Sequence, residues 1–304
     1  MRQLVLAVPV FNAERHLGAT LASLNAEGSD VRWWLQDGDS TDRTLAIAHA
    51  AEREGDRVIS EKDHGQADAV NLAMRMMGGD IIGFINGDDV LARGTAKCVL
   101  DYFDAHPDVD LVYGCVDWID NDGTVTGHHA GRINSLADVL DIYRVWWGRR
   151  QWVQPEVFYR RALFEKVGGF DSSYHLAFDY DFWVRCFLAG ARVAHISKVF
   201  AQFRIHSAQK SMAKIEAAKE IRAIVHRQLT AGVPLSAWTR WGLNAQLAYD
   251  RYQLGETVGP TGKRPSFFHA ILRHPQWLLS PAVRNRAQSS LAKALRIAKP
   301  LPHK

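Results

Sequence analysis

Along the first hundred residues, short apolar runs alternate with segments of helical period, which is the pattern of βαβ units and a mostly parallel sheet. Leu4 to Val8 reads as a buried strand, and Leu17, Leu21 and Leu24 then mark one face of a helix. Val31 to Leu35 is the second strand. Ser40, Thr41 and Asp42 offer cap-type side chains and early negative charge to a helix running to about Arg53. Arg57 to Ser60 gives a third strand, Gln66 to Met77 a helix, and Ile81 to Ile85 a fourth strand apolar enough to be covered on both faces.

Beyond this point the pattern turns to α+β. Leu111 to Ile119 and the stretch after Asn121-Asp122-Gly123 predict a hairpin, because Asp-Gly suits tight primed turns. A short helix from Ala162 to Val167 stops at Gly168-Gly169, and another from Tyr180 to Leu188 stops at Gly190. A short strand, Arg192 to Ile196, and an intervening segment lead to Phe203-Arg204-Ile205-His206. From Ser207 the period is helical, with breaks at Gly232-Val233-Pro234 and between Gly259 and Pro265.

Of 304 residues, 47% are hydrophobic and 23% charged, ordinary values for a chain with a sizeable core. The net charge of +4 hides an asymmetry: residues 257–304 carry nine Lys or Arg and no acid, leaving 28 basic against 33 acidic side chains before them. Cys98, Cys115 and Cys186 lack metal-type spacing and read as reduced core residues. Met1-Arg2-Gln3 runs straight into the first strand, without the pattern of a secretory signal, and no apolar run reaches the roughly 18 residues of a membrane span. These features predict a cytoplasmic protein or one peripheral on the inner face of a membrane.

Ligands of an open parallel sheet bind at the carboxyl ends of its strands, so the residues just past each strand are the candidates for chemistry. They are Pro9, Phe11, Asn12 and Glu14; then Asp37 to Asp42; then Lys62 to Gln66; then Asn86-Gly87-Asp88-Asp89. Asp88 and Asp89 are hard oxygen donors of the kind that hold Mg²⁺ or Mn²⁺ while substrate phosphates complete the shell. They also suit an Asx-rich turn. Asp37 directly follows its strand and is placed to accept from a base or ribose. No strand is followed by Gly-x-Gly-x-x-Gly, and no P-loop occurs, which excludes the glycine-cradled phosphate sites of dehydrogenases and P-loop enzymes.

The second half has to supply a base. Asp179 and Asp181 lie roughly 200° apart around a helix axis and cannot share a target. Arg185, four residues beyond Asp181, gives that carboxylate an ion-pair partner, whereas Asp179 at the helix start is free to take a proton from an attacking hydroxyl or to cap the helix. Arg204 or His206 could reach a diphosphate or the metal. Trp146, Trp147, Trp152 and Gln154 suit a sugar platform or an aromatic core.

Together these residues resemble glycosyltransferase family 2 of the GT-A fold. The resemblance runs in order through Val8 to Glu14, Gln36 to Thr44, Ser60 to Gln66, Gly79 to Asp89, Val167 to Asp171, Asp179 to Arg185 and Phe203 to His206, covering residues 3 to about 211. It implies an α/β GT-A domain over 1–211, with a nucleotide-sugar half (1–105) and an acceptor and base half (106–211), followed by a helical extension over 212–304 whose tail is basic from about 257. It further implies a metal-dependent, inverting hexosyltransferase. In it Pro9, Phe11, Asn12, Glu14, Asp37, Gln66, Asn86, Asp88 and Arg204 hold the nucleotide sugar, and Asp89, Asp88 and His206 hold Mn²⁺ or Mg²⁺. Asp179 is the base, and Trp152, Gln154 and Asp181 face the acceptor. Asn86 and Phe178 depart from the family pattern, which has Asp and Glu at these places in many members. The donor would be a UDP, GDP or dTDP sugar and the acceptor a glycan or lipid-linked glycan for cell-surface polysaccharide. The basic tail, through Leu291, Ala294, Leu295 and Ala298 at helical spacing, would lie on anionic lipid or pack on the domain; it carries no nucleic-acid recognition motif. A sugar-nucleotide-forming nucleotidyltransferase would use a similar sheet, but its glycine-rich first loop is missing from Pro9 to Glu14. A non-catalytic sugar-nucleotide-binding scaffold is the alternative from outside enzymology.

Overall fold

In the computed structural model, which describes residues 3–142, 145, 149–207, 209–210, 213–253, 266–279, 283–284 and 286–288, the first half is laid around strand β1, Leu4–Val10. Every residue of β1 is buried. Its alternating side chains feed two cores: Leu4, Leu6, Val8 and Val10 enter one, Val5 and Ala7 the other. Helix α1 (Leu17–Asn25) follows, then β2 (Val31–Asp37), α2 (Thr44–Ala51), β3 (Arg57–Ser60), α3 (Gln66–Met76) and β4 (Ile81–Phe84). β1 pairs in parallel with β2 and β4, and β2 with β3, so all four strands deliver their carboxyl ends to one rim.

The chain then adds β5 (Val90–Leu91), α4 (Thr95–Ala105), β6 (Leu111–Ile119), β7 (Val125–His129), α5 (Leu136–Leu140), β8 (Val157–Arg160), α6 (Arg161–Val167), α7 (Phe178–Leu188) and β9 (Val193–Arg204). The result is a mixed nine-stranded sheet in the order β3-β2-β1-β4-β8-β6-β9-β5, with β7 on β6. Helices α8 (Lys214–Thr230), α9 (Ala237–Gln253) and α10 (Phe267–Arg273) close the described chain.

The predicted strands at Leu4, Val31, Arg57, Ile81 and Leu111 form, and the hairpin turns at Asp120–Thr124, where Asp120 Oδ1 accepts from the backbone of Asp122 and Thr124. Three features differ from the sequence reading. The segment beginning at Arg192 is one twelve-residue strand, Val193–Arg204, because Gly114 leaves room for the Phe200 ring where its register with β6 shifts. A Cβ on Gly114 would also meet Lys198 O at 2.7 Å. Strand β8, between β4 and β6, is a four-residue run with no alternation to announce it. Helix α2 starts at Thr44, because Ser40 and Thr41 bond to other loops instead of capping it.

One core lies under α1, α2 and α4; the other joins α3 to α5, α6 and α7 and takes in Ile221, Ile224, Val225 and Leu229 of α8. A smaller third cluster, from Ala245 to Val283, binds α9 to α10. Cys115 and Cys186 are buried and Cys98 half-buried, all as free thiols. Asn71, on α3, ties the halves together: its Nδ2 donates to Phe170 O at 2.8 Å and its Oδ1 accepts from Phe170 N at 2.9 Å. Asn71→Ala leaves both backbone groups of Phe170 buried and unpaired, so unfolding in urea is expected to show a loss of about 1–3 kcal/mol with an unchanged denaturant slope.

Candidate active site

The rim is stitched from the loops after β1 and β2. Asn12 adopts φ 49° and Asp39 φ 70°, left-handed conformations uncommon for residues with a Cβ. Local bonds hold Asn12 there: its N–H donates to Ser40 Oγ at 2.7 Å and its Oδ1 accepts from Thr41 N at 3.0 Å. Glu14 accepts from the backbone and side chain of Arg43, both at 3.1 Å, while Thr44 Oγ1 accepts from Ala13 N at 2.7 Å. Pro9 is enclosed within β1 opposite Gln36, whereas Phe11, 64% exposed, projects from the rim.

Asp37, a candidate base contact from sequence, lies at the end of β2 beneath the Ser40 turn. It has no exposed surface, and its carboxylate accepts from Ser40 N at 3.0 Å, Ser60 Oγ at 2.7 Å and Ser40 Oγ. In this conformation it braces the turn on which a ligand would rest.

After β4 the chain turns sharply through Asn86-Gly87-Asp88-Asp89. Gly87 permits this, since a Cβ there would stand 2.7 Å from Val10 Cγ1 at the end of β1. Gln66 Nε2 donates to Asn86 Oδ1 at 2.6 Å, and Asn86 Nδ2 to Asp89 Oδ2 at 3.3 Å, so two amides lead from α3 to a carboxylate. Asp89 is 1% exposed, and its Oδ1 accepts from Arg204 N at 3.0 Å. Burial, and then the negative charge of Asp88, push its carboxyl well above the usual range, against the pull of those hydrogen bonds.

Asp88 is the accessible member of the pair. Its Oδ2 lies 2.9 Å from His206 Nε2, delivered from the end of β9. One carboxylate oxygen and one imidazole nitrogen converging at a partly open position form a donor set that Mg²⁺ or Mn²⁺ accepts when phosphate and water fill the remaining sites. Among the described residues no three His, Cys, Asp or Glu side chains form a metal cage. Asp89 lies beneath, its oxygens turned to protein donors.

Arg204, a candidate diphosphate or metal contact from sequence, sits under the Asp88 turn. It is 4% exposed; its Nε donates to Asp88 O at 2.9 Å and its Nη1 to Asp120 O at 2.8 Å and Asn121 O at 3.1 Å. Its charge is spent on three backbone carbonyls that fix the Asp88 turn.

Two residues assigned to the acceptor from sequence, Trp152 and Asp181, lie in the core. Trp152, 2% exposed, packs against Tyr113, Trp183 and Phe187 in the core and offers no platform. Asp181 is wholly buried, its carboxylate held by Arg185 at 2.7 Å and Arg227 at 2.5 Å. Trp146, Trp147 and the tail residues Leu291, Ala294, Leu295 and Ala298 lie outside the described residues. Gln154, 9% exposed, donates from Nε2 to Phe84 O at the end of β4.

Asp179 stands in the first turn of α7, half-buried, with Oδ1 accepting from Tyr180 N at 2.7 Å. Burial lifts its carboxyl to about 6, against that N–H and the charge of Lys210. Its neighbour Phe178 stacks on Phe84 at 5.8 Å between centroids, which sets the start of α7 beside the exit of β4.

His16 escaped the sequence reading. Its ring lies 5.3 Å from that of His206, its Nε2 has no partner among the described residues, and desolvation, then Arg204, lower its pKa. A single histidine before an apolar helix carries no motif by which to find it. Glu220 was equally hidden, since its partners are backbone N–H groups of residues 175–177.

The glycosyl transferase family 2 model matches residues 5–176. The chain is 31% identical over 199 residues to a PGL/p-HBAD biosynthesis glycosyltransferase of Mycobacterium bovis, covering 64% of this chain and 73% of that one. It is 27% identical over 222 residues to an Escherichia coli chondroitin synthase, covering 70% of this chain but 30% of the synthase. Among solved structures, S. aureus TarS 1–349 in complex with UDP-GlcNAc superposes with a TM-score of 0.63 at 18% identity, over 83% of this chain and 73% of TarS. The mannosyltransferase PcManGT from Pyrobaculum calidifontis, in complex with GDP-Man and Mn²⁺, gives 0.54 at 17%, over 95% and 84%. The fold is therefore GT-A, and the chain belongs to glycosyl transferase family 2 and is a glycosyltransferase of glycan biosynthesis.

Proposed function

We propose that this glycosyltransferase is inverting and moves a hexosyl group from a UDP, GDP or dTDP sugar to a hydroxyl of a glycan or lipid-linked glycan. The reading rests on the Phe84–Phe178 stack, which brings a half-buried carboxylate, Asp179, beside the strand exit that carries Asp88. The neighbours' complexes with UDP-GlcNAc and GDP-Man support a nucleotide sugar as the donor.

Asp179, with its pKa raised to about 6, is ionised at neutral pH and still basic enough to accept a proton. The acceptor O–H passes its proton to an Asp179 oxygen while the acceptor oxygen bonds to the anomeric carbon from the face opposite the diphosphate. The carbon–oxygen bond to the diphosphate breaks and its electron pair leaves with the nucleotide, which inverts the centre. Asp88 and His206 would hold Mg²⁺ or Mn²⁺, which would supply countercharge for the diphosphate. The turn braced by Asp37, with Asn12 and Glu14, forms the floor for the nucleoside; Gln66 and Asn86 hold the Asp88 turn in place.

The described residues contain no helix long and apolar enough to cross a membrane. On α9, Trp238 and Trp241 are 70% and 41% exposed with rings 4.9 Å apart, and on α10 Phe268 and Leu272 are 49% and 81% exposed. With nine cations and no acid over residues 257–304, these aromatics support docking of the extension on anionic lipid, where a lipid-linked acceptor would be met.

Two outcomes test these readings. The acid limb of kcat/KM should fall below an apparent pKa of about 6, because only ionised Asp179 accepts the proton, and Asp179→Asn should bind nucleotide while losing at least about a thousandfold in kcat; a fully active Asp179→Asn would remove it as the base. The protein should sediment with phosphatidylglycerol-containing vesicles but not with pure phosphatidylcholine ones, and Trp238→Ser with Trp241→Ser should weaken that binding; equal sedimentation with both lipids, or with neither, contradicts the lipid reading.

A further inference from the structure

Helix α8 belongs, by its pattern, to the extension beyond the catalytic half, yet it makes two polar grips on the segment that carries Asp179. Glu220 accepts from three successive backbone groups just before α7: His175 N at 3.0 Å into one oxygen, Leu176 N and Ala177 N, each at 2.8 Å, into the other. Two turns further along α8, Arg227 reaches Asp181 and lies 3.9 Å from Asp171. Between the two grips, Ile221, Ile224 and Val225 are buried in the core shared with α7. Side chains four and seven residues apart fall on one helix face, so a single face of α8 holds both the approach to α7 and its first turn.

The grip by Glu220 differs from an ordinary surface contact. Three consecutive N–H groups ahead of a helix cannot be satisfied within it, and a carboxylate is the acceptor that binds them most strongly. The held loop also meets the nucleotide half: a Cβ on Gly65 would lie 3.8 Å from His175 Nδ1. The carboxylate therefore fixes the path by which the chain enters the catalytic helix, and its negative charge acts on Asp179 itself.

We propose that Glu220 is a positioning residue for the transfer step: through the backbone of residues 175–177 it sets where the Asp179 carboxylate stands. This rests on the reading of Asp179 as the base. The extension is then part of the catalytic apparatus, and α8 is required for turnover rather than only for placing the protein on a surface.

The other charges around Asp179 leave this effect readable. Lys210, after β9, opposes Glu220 and itself faces Asp63. Asp181 on the same helix is turned to Arg185 and Arg227; from α5, Asp141 acts on Tyr180; and Lys166 of α6 donates to Ala189 O.

The test compares Glu220→Gln and Glu220→Ala with the wild type and with Asp179→Asn, on the full chain, following donor KM, kcat and the pH profile together with the melting temperature. Glu220→Gln keeps the size and one acceptor oxygen but removes the charge, so kcat should fall roughly tenfold, donor KM should stay within about twofold, and the acid limb should move to lower pH. Glu220→Ala should lose more of kcat, roughly a hundredfold, in the same direction. A folded Glu220→Gln whose kcat coincides with that of the wild type overturns the proposal, whatever its melting temperature, because a merely structural brace would shift melting alone. If Glu220→Ala fails to fold, the glutamine variant still decides. An active Asp179→Asn would instead sink the base assignment itself, an outcome separate from the behaviour of Glu220.

Discussion

The site depends on a joint between two distant stretches of chain, the Asp88-Asp89 turn after β4 and the end of β9. The backbone N–H of Arg204 meets the buried Asp89 carboxylate while the Arg204 guanidinium holds the carbonyls of Asp88, Asp120 and Asn121. A buried cation and a buried carboxylate are costly to desolvate, and each is tolerated because hydrogen bonds from the β4 turn, the end of β9 and the β6–β7 hairpin satisfy it. Once β9 is locked there, His206 arrives two residues later opposite Asp88. The hairpin that supplies Asp120 and Asn121 is fastened by the same arginine, so the second half cannot shift against the first without breaking this joint.

Around it, the rim is made of parts that stabilise one another rather than parts held open for ligand. Asp37, Asp89 and Asp181 are all fully enclosed and each has its oxygens bonded to donors. Asp88 and Asp179 keep exposed surface, as does Glu14 on the loop after β1. This division explains how an acid-rich rim is stable: its enclosed carboxylates are bonded to protein donors, and Lys210 acts on Asp179.

Strands β1 and β4 were legible because they are short apolar runs buried on both faces, and such runs stand out against polar loops. The Asp181–Arg185 pair was legible from its spacing of four on a helix. The hydrogen-bond partners of Arg204 and Asp37 were not, since a motif fixes residue types at a place and not the direction in which a side chain is spent. Arg204 turns inward because β9 is one continuous strand, and that follows from Gly114, eighty or more residues earlier in the chain, making room for Phe200. His16 and Glu220 act through contacts between segments far apart in sequence, for which no local pattern exists.

The central claim is that the nucleotide sugar lies on the rim between the Asp37 turn and the Asp88–His206 pair, with Asp179 open on its acceptor side. A crystal structure with a bound nucleotide sugar and Mn²⁺ tests this directly. The account predicts a diphosphate and ion in contact with Asp88 and His206, and the sugar's anomeric carbon facing Asp179. A nucleotide bound elsewhere on the protein, or an ion held without Asp88, would contradict it.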